Sequence, residues 1–218
     1  MGRKDEDLRR IEECGVVAVV RLRDAAPLLQ VAEALQAGGI NAIEFTMTTP
    51  GALDIIAQVT ARYPEKVVWG AGTVLDPETC RAAILAGARF VVSPTLNLEV
   101  IRLCHRYSVV CVPGAFTPTE ILTAWENGAD VVKVFPATAL GPAYFKDVLA
   151  PLPQVKLLPT GGVSLANCGD FIKAGAVGVA VGSALVKPDD VEAGRFDVLA
   201  ERASQFAAAV KAARVLRN

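Results

Sequence analysis

The chain has 218 residues, a formal net charge of −1, 52% hydrophobic residues and 21% charged ones. So balanced a charge excludes a protein built to neutralise nucleic-acid phosphates or to coat an anionic membrane surface, and neither is expected as a partner. The hydrophobic fraction excludes a disordered chain, and with aromatics at only 6% the core has to be made of Val, Leu, Ile and Ala, a composition suited to stacked parallel strands.

Met1 to Glu13 is a charge-dense run of mixed sign, and the first apolar stretch, Gly15 to Val20, is too short for a secretion signal; a cytoplasmic protein is expected. From there, apolar β-branched runs begin near Val16, Asn41, Val67, Phe90, Val109, Val131, Val155 and Val177, with successive starts 19 to 26 residues apart. The stretches between them carry helical periodicity, as in Leu28, Val31, Ala32 and Leu35, or Leu53, Ile56 and Ala57. Thr49-Pro50, Asp76-Pro77 and Thr117-Pro118 each pair a good N-cap with proline at the first helical position, and Thr117-x-x-Glu120 reads as a capping box. Gly38-Gly39, Gly87, Gly128 and Gly175 follow predicted helices. The longest apolar run, Ala174 to Val186, holds three glycines and is shorter than the ~18 residues of a membrane span. Within Arg195 to Asn218, Ala203, Phe206, Ala207 and Val210 form an apolar stripe with Arg202, Lys211 and Arg214 nearby, which predicts a helix packed on an outer wall.

Eight strand-plus-helix units predict an α/β fold: a single closed (β/α)8 TIM barrel over residues 1–218, core about 16–186, with an N-terminal helix and a C-terminal helical extension. A doubly wound open sheet shares the alternation but calls for G-x-G-x-x-G after the first strand, where this chain has Val20-Arg21-Leu22-Arg23-Asp24.

Five cysteines (Cys14, Cys80, Cys104, Cys111, Cys168) are odd in number and scattered, without a C-x-x-C pair. They read as small apolar filler, not as a disulfide framework or zinc site. The single histidine, His105, reads as a surface residue, so neither a His-based triad nor a multi-His metal site is available.

Barrel enzymes carry their chemistry where strands end, and polar residues gather there: Arg21, Glu44, Thr73, Ser93-Pro94, Pro113-Gly114, Lys133, Thr160-Gly161-Gly162 and Gly182-Ser183. Lys133 interrupts the otherwise apolar Val131-Val132-Lys133-Val134-Phe135-Pro136. A buried ammonium loses hydration and its pKa falls, which is what a Schiff-base nucleophile requires; a lysine paired structurally with a buried carboxylate is the alternative. Glu44, between Ile43 and Phe45, can move protons beside Lys133 or act as a counter-ion to Lys133 or Arg21. The loops Thr160-Gly161-Gly162-Val163-Ser164 and Val181-Gly182-Ser183-Ala184 suit a phosphate held by backbone N–H groups, or else are two tight turns. Gly70-Ala71-Gly72-Thr73 lacks the Gly-Lys-Ser/Thr of a nucleotide loop.

Glu44-Phe-Thr, Gly70-Ala-Gly-Thr73-Val, Val92-Ser-Pro94, Pro113-Gly114, Lys133-Val-Phe135-Pro136, Pro159-Thr-Gly-Gly162-Val and Val181-Gly-Ser183 occur in order from about Val16 to Val186. This set resembles the 2-keto-3-deoxy-6-phosphogluconate aldolase / 4-hydroxy-2-oxoglutarate aldolase family. The resemblance implies a class I, metal-free, cofactor-free aldolase on a (β/α)8 barrel, a homotrimer that cleaves a phosphorylated 2-keto-3-deoxy sugar acid to pyruvate and glyceraldehyde 3-phosphate. It implies Lys133 as Schiff-base lysine and Glu44 as general acid/base. Thr73 and Pro94 would contact the pyruvyl part, Phe135 would pack against it, and Arg21 would stand at the mouth. Gly161, Gly162 and Ser183, flanked by Thr160 and Gly182, would form the phosphate site. Thr48 stands where some members carry an arginine that helps hold the substrate carboxylate and others carry threonine; here Thr73, main-chain N–H groups and Arg21 are expected to hold it. The alternatives are a same-family preference for 4-hydroxy-2-oxoglutarate or the galactonate epimer, a phosphate-binding isomerase or epimerase using Lys133 as a base, and a catalytically silent trimeric scaffold, against which the presence of both Lys133 and Glu44 argues.

Overall fold

The computed structural model describes residues 2–23, 26–63 and 65–216; Met1 and Asp24, and Asn218 of the predicted last helix, lie outside them. Nine strands alternate with helices: β1 (Val16–Val20), β2 (Ala42–Thr46), β3 (Val68–Gly72), β4 (Phe90–Val92), β5 (Val110–Val112), β6 (Gly114–Ala115), β7 (Val132–Val134), β8 (Leu157–Pro159) and β9 (Val179–Val181). The fold is α/β with a curled parallel sheet of six strands in the order β5-β4-β3-β2-β1-β9, beside a parallel sheet ordered β6-β7-β8. A parallel bridge between Thr160 and Ala180 links β8 to β9. Seven predicted runs become one strand each within two residues. The fifth becomes two, because Pro113 has no N–H for the ladder and separates β5 from β6.

The helices are α1 (Arg3–Cys14), α2 (Leu28–Ala37), α3 (Ala52–Arg62), α4 (Pro77–Leu85), α5 (Leu98–Arg106), α6 (Pro118–Glu126), α7 (Gly141–Leu149), α8 (Cys168–Lys173), α9 (Pro188–Glu192) and α10 (Phe196–Val215). Two predicted starts are realised as capped termini: the Asp76 carboxylate accepts from Thr79 N–H at 2.6 Å, and Thr117 forms a capping box with Glu120. Thr49 does not cap. Helix α3 begins at Ala52 behind Gly51 in the left-handed region (φ 73°), while the Thr49 hydroxyl turns inward and accepts from Leu22 N–H at 3.3 Å. The apolar face of α3 is also shifted, to Ala52, Ile55, Ile56 and Val59, leaving Leu53 and Ala57 exposed. The stripe of α2 is as predicted, with Leu28, Val31, Ala32 and Leu35 buried. Helix α10 buries Ala203, Phe206 and Val210 against α2 and α8, with Ala207 half-buried beside them.

Strand alternation sorts the core into two layers. Val16, Ala18, Ile43, Phe45, Trp69, Val91, Cys111, Val132, Val134 and Val179 face the surrounding helices. Val17, Ala42, Val68, Phe90, Val92, Val110, Val112, Val131, Leu158 and Ala180 meet inside the curl of the sheet, together with Ile11 of α1. That inner cluster is the floor on which the site stands. Helix α1 lies across the strands' N-terminal ends, pinned by Lys4–Asp130, Asp7–Arg89 and Glu12–Lys156, whose partners immediately precede β7, β4 and β8. All five cysteines are free thiols and four are buried; His105 is exposed on α5. No helix among the described residues is long and apolar enough to cross a membrane.

Candidate active site

Glu44 follows Ala42 by two residues and Lys133 follows Val131 by two, so both side chains project on the inner face, one layer above the floor. Backbone register fixes their heights: Glu44 pairs with Val19 and Gly70, and Lys133 with Gly114 and Leu158. Only 1% of Glu44 and 6% of Lys133 is exposed, as their positions within apolar strands predict.

Burial pushes the Lys133 amine below its ordinary pKa; the Glu44 carboxylate opposes this and Arg21 adds to it. Burial likewise pushes the Glu44 carboxyl above its ordinary value, against the pull of Lys133 and then of Arg21. Oε2 of Glu44 has no hydrogen-bond partner, so the attraction to Lys133 does not consume its proton-accepting capacity. The Lys133 amine lies 5.0 Å from the centroid of the Phe135 ring, which covers it at the next position of the same face. An amine shifted down toward its neutral form beside a carboxyl shifted up toward its protonated form has the chemistry of a nucleophile and its proton carrier.

Space for Glu44 is made by Gly72. A Cβ there would stand 2.5 Å from Glu44 Oε1, and one at Gly70 would stand 2.4 Å from the Phe90 ring. The first glycine admits the carboxylate and the second admits the floor residue beneath it. In the sequence, Gly70 and Gly72 signal this role by their period of two on one strand, opposite a buried glutamate.

Of the predicted substrate-facing residues, Arg21, Phe135, Thr160, Gly161, Gly162, Gly182 and Ser183 line one cavity of about 500 Å³ at the C-terminal ends of β1, β7, β8 and β9. Thr160 is buried and its hydroxyl has no partner. Gly161 and Gly162 take φ of 90° and 71°, a region closed to most side chains, which carries the chain over the cavity wall. No helix starts directly on either glycine loop: α8 begins only at Cys168, and after β9 a single turn closes with Leu185 and Val186 N–H both donating to the Gly182 carbonyl. Thr48 is placed elsewhere, in an adjoining groove that shares Arg21 and Pro188, its hydroxyl 3.1 Å from that of Thr46. Thr73 and Pro94 line neither cavity. Thr73 ends β3 in a left-handed conformation (φ 57°), unusual for threonine, and Pro94 ends β4 with its carbonyl against Gly114. Among the described residues no three His, Cys, Asp or Glu side chains converge as a metal site.

A family model described as KDPG and KHG aldolase matches residues 8–201. The 2-dehydro-3-deoxy-phosphogluconate aldolase of Treponema pallidum (strain Nichols) is 40% identical over 192 residues, 88% of this chain and 90% of that one. The KHG/KDPG aldolase of Escherichia coli (strain K12) is 36% identical over 191 residues, 87% and 88% of the two chains. A crystal structure of KDPG aldolase from Legionella pneumophila, with pyruvate captured as a covalent carbinolamine intermediate, superposes with a TM-score of 0.85 at 28% identity, over 92% of this chain and 97% of that one. A buried amine and carboxylate above an apolar floor thus sit on a chain matched along nearly its whole length, and the chain belongs to the KDPG and KHG aldolase family.

Proposed function

We propose that this protein reversibly cleaves 2-keto-3-deoxy-6-phosphogluconate to pyruvate and glyceraldehyde 3-phosphate through a Schiff base on Lys133. The observation that carries the reading is the pair of buried, oppositely shifted groups, Lys133 and Glu44, on one inner face. The Lys133 amine adds to the C2 ketone, and the resulting carbinolamine loses water to give an iminium. Glu44 takes the C4 hydroxyl proton as the C3–C4 bond breaks; its electron pair passes into the iminium, and glyceraldehyde 3-phosphate departs. The enamine is then protonated at C3 with help from Glu44, and water displaces pyruvate from the regenerated amine. The phosphate is assigned to Gly161, Gly162, Gly182 and Ser183, and the pyruvyl carboxylate to Thr73, main-chain N–H groups and Arg21. Thr160 faces the substrate, Pro94 and Phe135 bound the pyruvyl part, and Thr48 borders the adjoining groove.

The same reading takes residues 1–218 as one domain, the two sheets as a closed (β/α)8 barrel, and the protein as a cytoplasmic homotrimer that needs no cofactor. What supports closure is that β5 and β6 are separated only by Pro113 and that Thr160 bridges to Ala180. The test is borohydride reduction in the presence of pyruvate, followed by peptide mass analysis: the expected result is a stable adduct on Lys133. No adduct there sinks the Schiff base and leaves Lys133 as a simple base of an isomerase or epimerase.

A further inference from the structure

The turn after β9, residues 182–186, lines the 500 Å³ cavity through Gly182, Ser183, Ala184 and Val186. The carbonyl of its fourth residue, Leu185, is held from α10: Arg202 donates to it from Nη1 at 2.8 Å. The other arm of the same guanidinium donates to Asp190 Oδ2 at 2.7 Å, and Asp190 Oδ1 accepts from Arg195 at 2.7 and 3.1 Å. Asp190 is 7% exposed, and its hydrogen bonds from Arg195 and Arg202 hold its carboxyl below the ordinary carboxylate value. A planar fork clamped at both ends has little freedom left.

In the sequence Arg202 is one of several cations beside the apolar stripe of α10, and it lies just past the residues the family model matches. We propose that Arg202 is a positioning residue for the phosphate end of the substrate: held by Asp190, it fixes the 182–186 turn so that Gly182, Ser183 and Ala184 present a preformed surface to the anion. This rests on the assignment of that cavity to phosphate. Arg202 touches no reacting atom, so its loss weakens binding of the phosphorylated end and leaves the chemistry at Lys133 intact.

The experiment compares KM and kcat for the phosphorylated sugar acid and for the same acid without its phosphate, in the wild type and in Arg202→Lys, Arg202→Gln and Arg202→Met; any variant that folds can be read. In Arg202→Met the KM for the phosphorylated acid should rise about tenfold, the worth of one charged hydrogen bond. Its kcat, and both constants for the unphosphorylated acid, should stay within about twofold, because contacts to the remote phosphate are the same in ground and transition states. Arg202→Lys, which keeps charge and one donor, should recover part of the loss. A folded Arg202→Met or Arg202→Gln that retains the wild-type preference for the phosphorylated acid overturns the positioning role alone. A wild type without any such preference overturns the phosphate assignment and the positioning role together.

Discussion

Replacing Gly72 with alanine adds a single methyl group against the carboxylate of Glu44, the proposed proton carrier. Gly72 is not among the left-handed glycines, so the backbone accepts alanine. The new Cβ would stand 2.5 Å from Glu44 Oε1 and 2.8 Å from its carboxyl carbon, where ordinary contact begins at 3.4 Å. The carboxylate therefore has to withdraw by about 0.9 Å, a misplacement that typically costs on the order of 100-fold in rate. Because the group that yields is the end of a flexible side chain, folding should be little affected. Gly70→Ala is the control: its Cβ would enter the Phe90 ring at 2.4 Å, and overpacking of that kind costs about 1–3 kcal/mol, several degrees of Tm in a chain of this size. The assay is aldol cleavage coupled to detection of the released aldehyde, alongside thermal unfolding and borohydride trapping of pyruvate. Gly72→Ala should lose kcat, keep its Tm and still form the adduct on Lys133. A Gly72→Ala variant turning over at the wild-type rate would refute the placement of Glu44 as proton carrier.

Lys133→Met should abolish the pyruvate adduct and also stabilise the fold. The wild-type amine titrates below 10.5 when folded, so the unfolded chain binds more protons in the window between the folded value and 10.5, and wild-type stability rises with pH across it. The gain in Tm from Lys133→Met should therefore be largest below that window and shrink toward pH 10.5, as read from thermal melts across pH; a constant gain refutes the assignment. Asp7→Ala removes the buried carboxylate that accepts from Arg89 Nε at 2.9 Å and should cost about 3–5 kcal/mol in chemical denaturation. The hydrogen bond to Cys104, with Sγ atoms 3.6 Å apart, and burial push the Cys80 thiol up; a hydrogen bond to Cys111 and burial push Cys104 up against the opposing effect of Cys80, and Cys168 is raised by burial. Alkylation of the native protein should therefore reach Cys14 first, with buried Cys80, Cys104, Cys111 and Cys168 labelled only on unfolding; mass spectrometry of the native protein carrying label on Cys80 contradicts this.

Strand positions were legible because a buried parallel strand leaves a run of β-branched residues bounded by turn formers, and Lys133 and Glu44 were legible because ionisable side chains are costly in such runs. The failures share a cause. Thr49-Pro50 has the local chemistry of a cap, but its hydroxyl is claimed by Leu22 N–H, 27 residues away in sequence. Asp7 and Arg89 are 82 residues apart and neither stands out in its own segment. Arg202 looks like any cation on an amphipathic helix until α10 is folded against the loop it holds. Thr73 and Pro94 follow β3 and β4 as expected, and that neither lines the 500 Å³ cavity is set by loop paths that no periodicity encodes. Local pattern reports what an element buries; it is silent on which distant partner competes for a polar group.

The apolar floor, with α1 laid across the strands' N-terminal ends beneath it, closes the inner face of the curl from below. On the proposed reaction, pyruvate is still bonded to Lys133 as an enamine when the aldehyde is cut free. Aldehyde must therefore leave before pyruvate can, which imposes an ordered release. Pyruvate, the last to go, then meets the free enzyme and competes with the sugar acid, whereas glyceraldehyde 3-phosphate inhibits without competing.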